Sequence, residues 1–189
     1  MTLPDADSLL NQLLIAMPGM EDPNFSSSVT LICEHNADGA LGIVINKPLQ
    51  LQLSDVFEQL TLSDSDAAVA DNPVLQGGPV GLDRGFVLHS PARTFESSIV
   101  VSGEIHLTFS RDVLEALAAG DGPDRSLVAL GYAGWGAGQL EDEILANSWL
   151  SVPAASEVVF DLPFEQRWTA AAQTLGIDIT QIAPDAGHA

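Results

Sequence analysis

Two apolar runs of strand length, separated by a four-residue turn signal, constrain this chain more than any other feature. Ser28 to His35 carries Leu31 and Ile32 side by side, so it offers apolar groups to both of its faces, as a central strand requires. Asn36-Ala37-Asp38-Gly39 follows, and Asp-Gly supplies the left-handed positions of a tight turn. Ala40 to Asn46 then returns with Leu41, Ile43, Val44 and Ile45. The pattern predicts an antiparallel hairpin.

The flanking segments alternate between strand and helix signals without a regular strand–helix–strand rhythm. Leu9 to Met17 fits a short helix or a strand and ends at Met17-Pro18-Gly19. Pro48 stops the second hairpin strand, and Ser54 is placed to cap a short helix through Leu60, with Val56, Phe57 and Leu60 inward. Thr61 to Asn72 is polar and reads as an exposed loop. Val74–Gln76, Gly85–His89 and Ser97–Ser102 read as strands. Ser110 caps a helix that Gly120 ends. Leu127 to Tyr132 reads as a buried strand, followed by a glycine-rich loop and a helix over 139–147. Trp149–Val152 and Glu157–Phe160 read as extended, and Phe164, Trp168, Ala171 and Leu175 repeat at helical spacing before Gly176. The expected fold is α+β, one domain over 1–189 with a mixed, largely antiparallel sheet, and loose tails at 1–8 and 183–189.

Charge narrows the partners. The 26 acidic residues outnumber 6 basic ones, for a formal net charge of −20. A polyanion is repelled at long range, and the cations at 47, 84, 93, 111, 125 and 167 are scattered, which disfavours direct nucleic-acid binding. No apolar run approaches the roughly 20 residues of a membrane span, and no basic region followed by an apolar stretch opens the chain, so a cytoplasmic location is expected.

Three groups of residues are candidates for chemistry. Gly77-Gly78 with nearby Arg84 could expose backbone amides and a cation to a carboxylate or phosphate. The run Gly131 to Gly138 lies between a strand and a helix, where phosphate loops occur, but Gln139 stands where a dinucleotide fingerprint needs glycine, and Glu141, Asp142 and Glu143 would repel a phosphate. A tight turn packed around Trp135 is the better reading. Cys33 and His35 alternate onto one face of a strand, but Cys33 sits among apolar residues as a small hydrophobe would. No metal or cofactor is expected. His35-Asn36 and Asn46-Lys47 fall at opposite ends of the hairpin, so the hairpin alone cannot join them.

The segments Leu14-Ile15-Ala16-Met17-Pro18-Gly19-Met20, Cys33-Glu34-His35-Asn36, Gly42 to Pro48, Gly77-Gly78-Pro79-Val80, Asp83 to His89, Leu130 to Glu141 and Asn147-Ser148-Trp149-Leu150 together resemble the YqgE/AlgH family of bacterial proteins along nearly the whole chain. The resemblance implies a compact α+β domain of the bacterial cytosol. It also implies the family's label of transcriptional regulator, and no reaction. Acting through a protein partner is one expectation. The other is a small-molecule or anion-binding domain, an enzyme included, built on His35, Asn36, Asn46, Lys47, Gly77, Gly78, Arg84 and His89, with the histidines as acid–base or hydrogen-bonding groups.

Overall fold

The computed structural model describes residues 8–63 and 68–182. The tails expected at 1–8 and 183–189 lie outside those residues except for Ser8, as does part of the Thr61–Asn72 loop.

Strand β1 (Gln12–Ala16) pairs with β2 (Val29–Asn36), which forms the expected hairpin with β3 (Gly39–Val44). The segment that fitted helix or strand is thus a strand, in keeping with its continuous burial from Leu13 to Ala16. A β-bulge at Cys33 interrupts the hairpin register. Strand β4 (Pro48–Gln52) begins at the proline expected to stop a strand. Pro48 occupies the first position, where its missing N–H costs no ladder bond. Helix α1 (Leu53–Gln59) starts two residues earlier than expected, with Gln52 in place of Ser54 at its N-cap. Asp55, not Ser54, closes its first turn by accepting the Gln52 N–H at 2.9 Å. It buries Leu53 and Phe57.

Strands β5 (Pro73–Gln76), β6 (Val80–His89), β7 (Ser98–Val100) and β8 (His106–Thr108) follow, β8 without a sequence signal. Helix α2 (Arg111–Ala118) has Ser110 at its N-cap and Gly120 in the left-handed conformation beyond its end. Strand β9 (Ser126–Gly136) runs through the glycine-rich segment that reads as a loop. Helix α3 (Gln139–Leu145) and strand β10 (Trp149–Pro153) match expectation. Glu157–Phe160 is not extended but lies in helix α4 (Ser156–Phe160), which packs against α5 (Phe164–Gln173).

The sheet order is β10-β1-β2-β3-β9-β6-β8-β7, with β5 joining β9 in parallel and β4 in antiparallel. Every other pairing is antiparallel, so the sheet is mixed and largely antiparallel as expected. Strand β9 is the organiser. Its first half pairs with β5 and β6 and its second half with β3, which curls the sheet. One core packs α4 and α5 onto β1–β3, a second packs α1 and α2 onto β5, β6 and β9, and a third packs α3 over Trp135 and Trp149. No helix of the described residues is long and apolar enough to cross a membrane.

Candidate functional site

The segment between β5 and β6 is shaped by two close backbone approaches. A Cβ on Gly77 would sit 2.4 Å from the Gly131 carbonyl oxygen, and one on Gly78 would sit 2.1 Å from the Tyr132 carbonyl carbon. The Gly77 N–H donates to the Leu130 carbonyl at 2.8 Å. These glycines therefore seat β5 against β9. They do not form the open amide cradle that their adjacency suggests.

Beyond them, the β6–β9 ladder breaks. Val80 faces Tyr132 and Gly85 faces Leu130, so residues 81–84 stand opposite Gly131 alone and loop out of the sheet. Gly81 (φ 56°) makes the bend. The excursion leaves Leu82 57% exposed and Val80 41% exposed. Arg84 lies with its guanidinium 5.6 Å from the Phe86 ring centroid and 5.7 Å from that of Tyr132. Among the described residues no carboxylate pairs with it, so the Arg84–Asp83 pair that the sequence allows does not form.

Backbone bonds bring Asn46 and Lys47 beside this segment: the Val44 N–H donates to the Gly77 carbonyl and the Gln76 N–H to the Lys47 carbonyl, each at 2.8 Å. Their side chains serve another purpose. Asn46 accepts the Val29 N–H and donates to the Ser27 carbonyl, and Lys47 Nζ donates to the Pro23 carbonyl at 3.0 Å. Burial lowers the Lys47 ammonium below its ordinary value. Both side chains brace the chain between β1 and β2.

The histidines do not converge on Arg84. Arg84 lies against Phe86, and His89 is three positions from Phe86 in the regular part of β6, an odd separation that sends it to the opposite face. It is buried and fully bonded. Nδ1–H donates to the Ser90 carbonyl at 2.8 Å, and Nε2 accepts the Thr108 hydroxyl at 2.7 Å. Burial pushes it below the ordinary histidine value, outweighing the Ser90 bond. His35 is at the hairpin end, under α3. Its Nδ1 accepts the Leu9 N–H at 2.9 Å and its Nε2–H donates to Glu141 at 2.5 Å. Asn36 accepts the Asp38 N–H and closes the hairpin turn.

A depressed His89 carries a pH prediction. The unfolded chain binds a proton there before the folded one does, so stability is full above the ordinary value of 6.5 and is lost as pH falls below it. Denaturant midpoints at about pH 7.5 and about pH 5 are expected to fall further apart in the wild type than in His89→Gln, which cannot titrate. Equal falls would mean that His89 takes its proton without strain.

The expected Cys33–His35 face does not exist. The bulge breaks the alternation, so Cys33 packs in the core with Leu31 and Ile43 while His35 meets α3. Burial raises the Cys33 thiol far above its ordinary value, the reverse of an activated nucleophile. Among the described residues no cluster of His, Cys, Asp or Glu could hold a metal ion.

The glycine-rich segment holds what sequence reasoning missed. Glu143 on α3 accepts both indole N–H groups, from Trp135 at 2.7 Å and Trp149 at 3.1 Å, and its other oxygen accepts Gln139 Nε2 at 3.2 Å. Phe25 packs edge-on to Trp149, and a cavity of about 200 Å³ opens between them. The carboxylate is satisfied by protein donors, so the cluster is a latch between β9, α3 and β10. The i, i+4 spacing of Gln139 and Glu143, flanked by two tryptophans, was its only sequence signal.

A family model described as AlgH-like matches residues 13–180. A UPF0301 protein of Thioalkalivibrio sulfidiphilus is 58% identical over 97% of this chain and 98% of its own. One from Methylococcus capsulatus is 53% identical over the same shares, 97% and 98%. The solution structure of the AlgH protein from Pseudomonas aeruginosa is 47% identical, with a TM-score of 0.79 over 100% of both chains. A crystal structure of a Corynebacterium diphtheriae protein shares the fold at 18% identity, with a TM-score of 0.73 over 91% of this chain and 90% of that one.

Proposed function

The chain belongs to the AlgH-like family, and from that premise we propose that it is a cytoplasmic binding protein that acts through a protein partner, recognised by the 80–85 excursion. The observation that carries this reading is the looping-out of residues 81–84. It sets exposed Leu82 and Val80 beside an arginine that stacks on Tyr132 and that no carboxylate pairs among the described residues. Arginine and tyrosine are enriched at interface centres, and the exposed aliphatic side chains beside them add apolar area to bury. The partner's chemistry follows: an apolar recess for Leu82 and a carboxylate for Arg84.

Catalysis has less support. Each histidine candidate is spent on structural bonds, and the lone thiol is buried. Direct nucleic-acid binding has less still. Arg93, Arg111 and Arg125 pair with Asp121, Glu115 and Asp161, and Arg167 is buried. That leaves Arg84 and Lys47 against a net charge of −20. The transcriptional effect implied by the family's label is then indirect.

The test is a photo-crosslinking residue in place of Leu82, with the same residue in place of exposed Glu104 as a control, in living bacteria. A discrete adduct is expected at position 82 and none at 104. Arg84→Glu is expected to reduce its yield about tenfold or more, as loss of an interface centre does. The absence of an adduct at 82, or an adduct insensitive to Arg84→Glu, would overturn the reading.

A further inference from the structure

A cavity of about 360 Å³ lies between the start of β5, the first residues of β9 and the link from α4 to α5. That volume falls in the range of small-ligand sites, about 300–1,000 Å³. Leu127, Phe160 and Phe164 give it apolar walls, and Arg167, Ser126 and Asp161 are among its polar groups.

Arg167 is the unusual member. Its side chain is only 2% exposed, yet no carboxylate pairs with it among the described residues. Its Nε donates to the Leu162 carbonyl at 3.0 Å and its Nη1 to the Ile45 carbonyl at 2.7 Å, and the guanidinium lies 4.5 Å from the Phe164 ring centroid. Those bonds orient the fork but bring only backbone dipoles to a buried positive charge. Nη2 bonds no protein group among the described residues. Asp161 borders the same cavity, but both of its oxygens accept from Arg125. Burial lowers the Arg167 guanidinium to about 10, against the opposing pull of the Asp161 carboxylate, which leaves it cationic at neutral pH. A buried charge is expensive unless an opposite charge meets it. Here the nearby carboxylate is held by Arg125, and the space beside the guanidinium is open, partly apolar and of ligand size.

We propose that this cavity binds a small organic carboxylate, whose anionic end pairs with the guanidinium of Arg167 and whose apolar body lies against Phe160, Leu127 and Phe164. A planar guanidinium matches a carboxylate in charge and geometry. A phosphate dianion matches less well, because one buried cation faces it and the Asp161 carboxylate lines the same space. The site is separate from the 80–85 excursion and does not depend on it.

The alternative role for Arg167 is a staple, tying α5 to the end of β3 through the Ile45 carbonyl. The experiment must therefore leave the staple in place. Thermal unfolding is followed with hexanoate, with its uncharged counterpart hexanamide, and with inorganic phosphate. The wild type and Ser126→Leu are compared. The latter adds a bulky side chain to the cavity lining and involves no Arg167 bond. Hexanoate is expected to raise the wild-type Tm saturably by several degrees. Hexanamide and phosphate are expected to do little, and Ser126→Leu to abolish the hexanoate shift. Arg167→Met is expected to weaken hexanoate by about thirtyfold or more. If that variant does not fold, Ser126→Leu decides alone. A shift of equal size with hexanamide or phosphate would overturn the assignment, as would one that survives Ser126→Leu, or no hexanoate shift at all.

Discussion

Gly78→Ala is expected to cost about 3 kcal/mol of stability, while Gly85→Ala, seven residues along, shifts it by less than about 0.5 kcal/mol. The two glycines belong to the same motif-rich stretch but face different surroundings. Gly78 has φ 155°, where side chains are strained, and its Cβ would land 2.1 Å from the Tyr132 carbonyl carbon and 2.2 Å from its oxygen. Those are backbone atoms of the central strand, so no rotamer change relieves the overlap. Either β5 moves off β9 or the β9 ladder yields. Gly85 has nothing within 4 Å of its Cβ position. Urea midpoints at unchanged m-value measure both. A Gly78→Ala loss below about 0.5 kcal/mol would mean that β9 gives way freely and that Gly78 does not fix the seat of β5 against it.

The contrast shows what the sequence carries and what it hides. The β2–β3 hairpin was legible because apolar runs and an Asp-Gly turn are local signals. So were α2, through Ser110 and Gly120, and α5, through its helical spacing and Gly176. The Gly131–Gly138 run was not, because glycine reads as loop while its cause here is long-range. Gly131 lets the Gly78 carbonyl come within 2.5 Å of where its Cβ would be, and the Trp135 carbonyl lies 2.1 Å from where a Cβ on Gly39 would be. Strands that cross this closely require glycine, and no local pattern names the partner. Val158-Val159-Phe160 has strand-like composition, yet packing against α5 makes it helical. The candidate site was legible in part. Arg84 stood out through the scarcity of cations, and the structure leaves it unpaired among the described residues. The histidines stood out too, but their partners Leu9, Glu141 and Thr108 are set by tertiary contacts. Arg167 carried no signal, since what marks it is burial beside Ile45, 122 residues away.

Glu143→Leu is expected to destabilise the fold by about 3 kcal/mol, and Glu143→Gln by less than half of that. The carboxylate is the shared acceptor for two indole N–H groups that have no other acceptor among the described residues. Leucine removes the acceptor and leaves both donors at the edge of an apolar cluster, where an unmet N–H costs about 1–3 kcal/mol. Glutamine keeps a carbonyl oxygen that both indoles can reach. Its amide NH2 would then meet Gln139 Nε2, which donates to the carboxylate at 3.2 Å in the wild type, so Gln139 must turn aside while its oxygen keeps the Gly136 N–H. The loss is the charge assistance and the exposed Gln139 bond, which water can replace. Because Trp135 and Trp149 report on their own surroundings, tryptophan emission is expected to shift in Glu143→Leu under native conditions and to stay near wild type in Glu143→Gln. Since α3 also holds His35 through Glu141, loosening the latch is expected to free the hairpin end as well, seen as faster amide exchange at Leu9 and Asp38. Equal losses for the two variants would show that charge, not hydrogen-bond acceptance, holds the tryptophans. No loss for either would show that ring packing with Phe25 suffices.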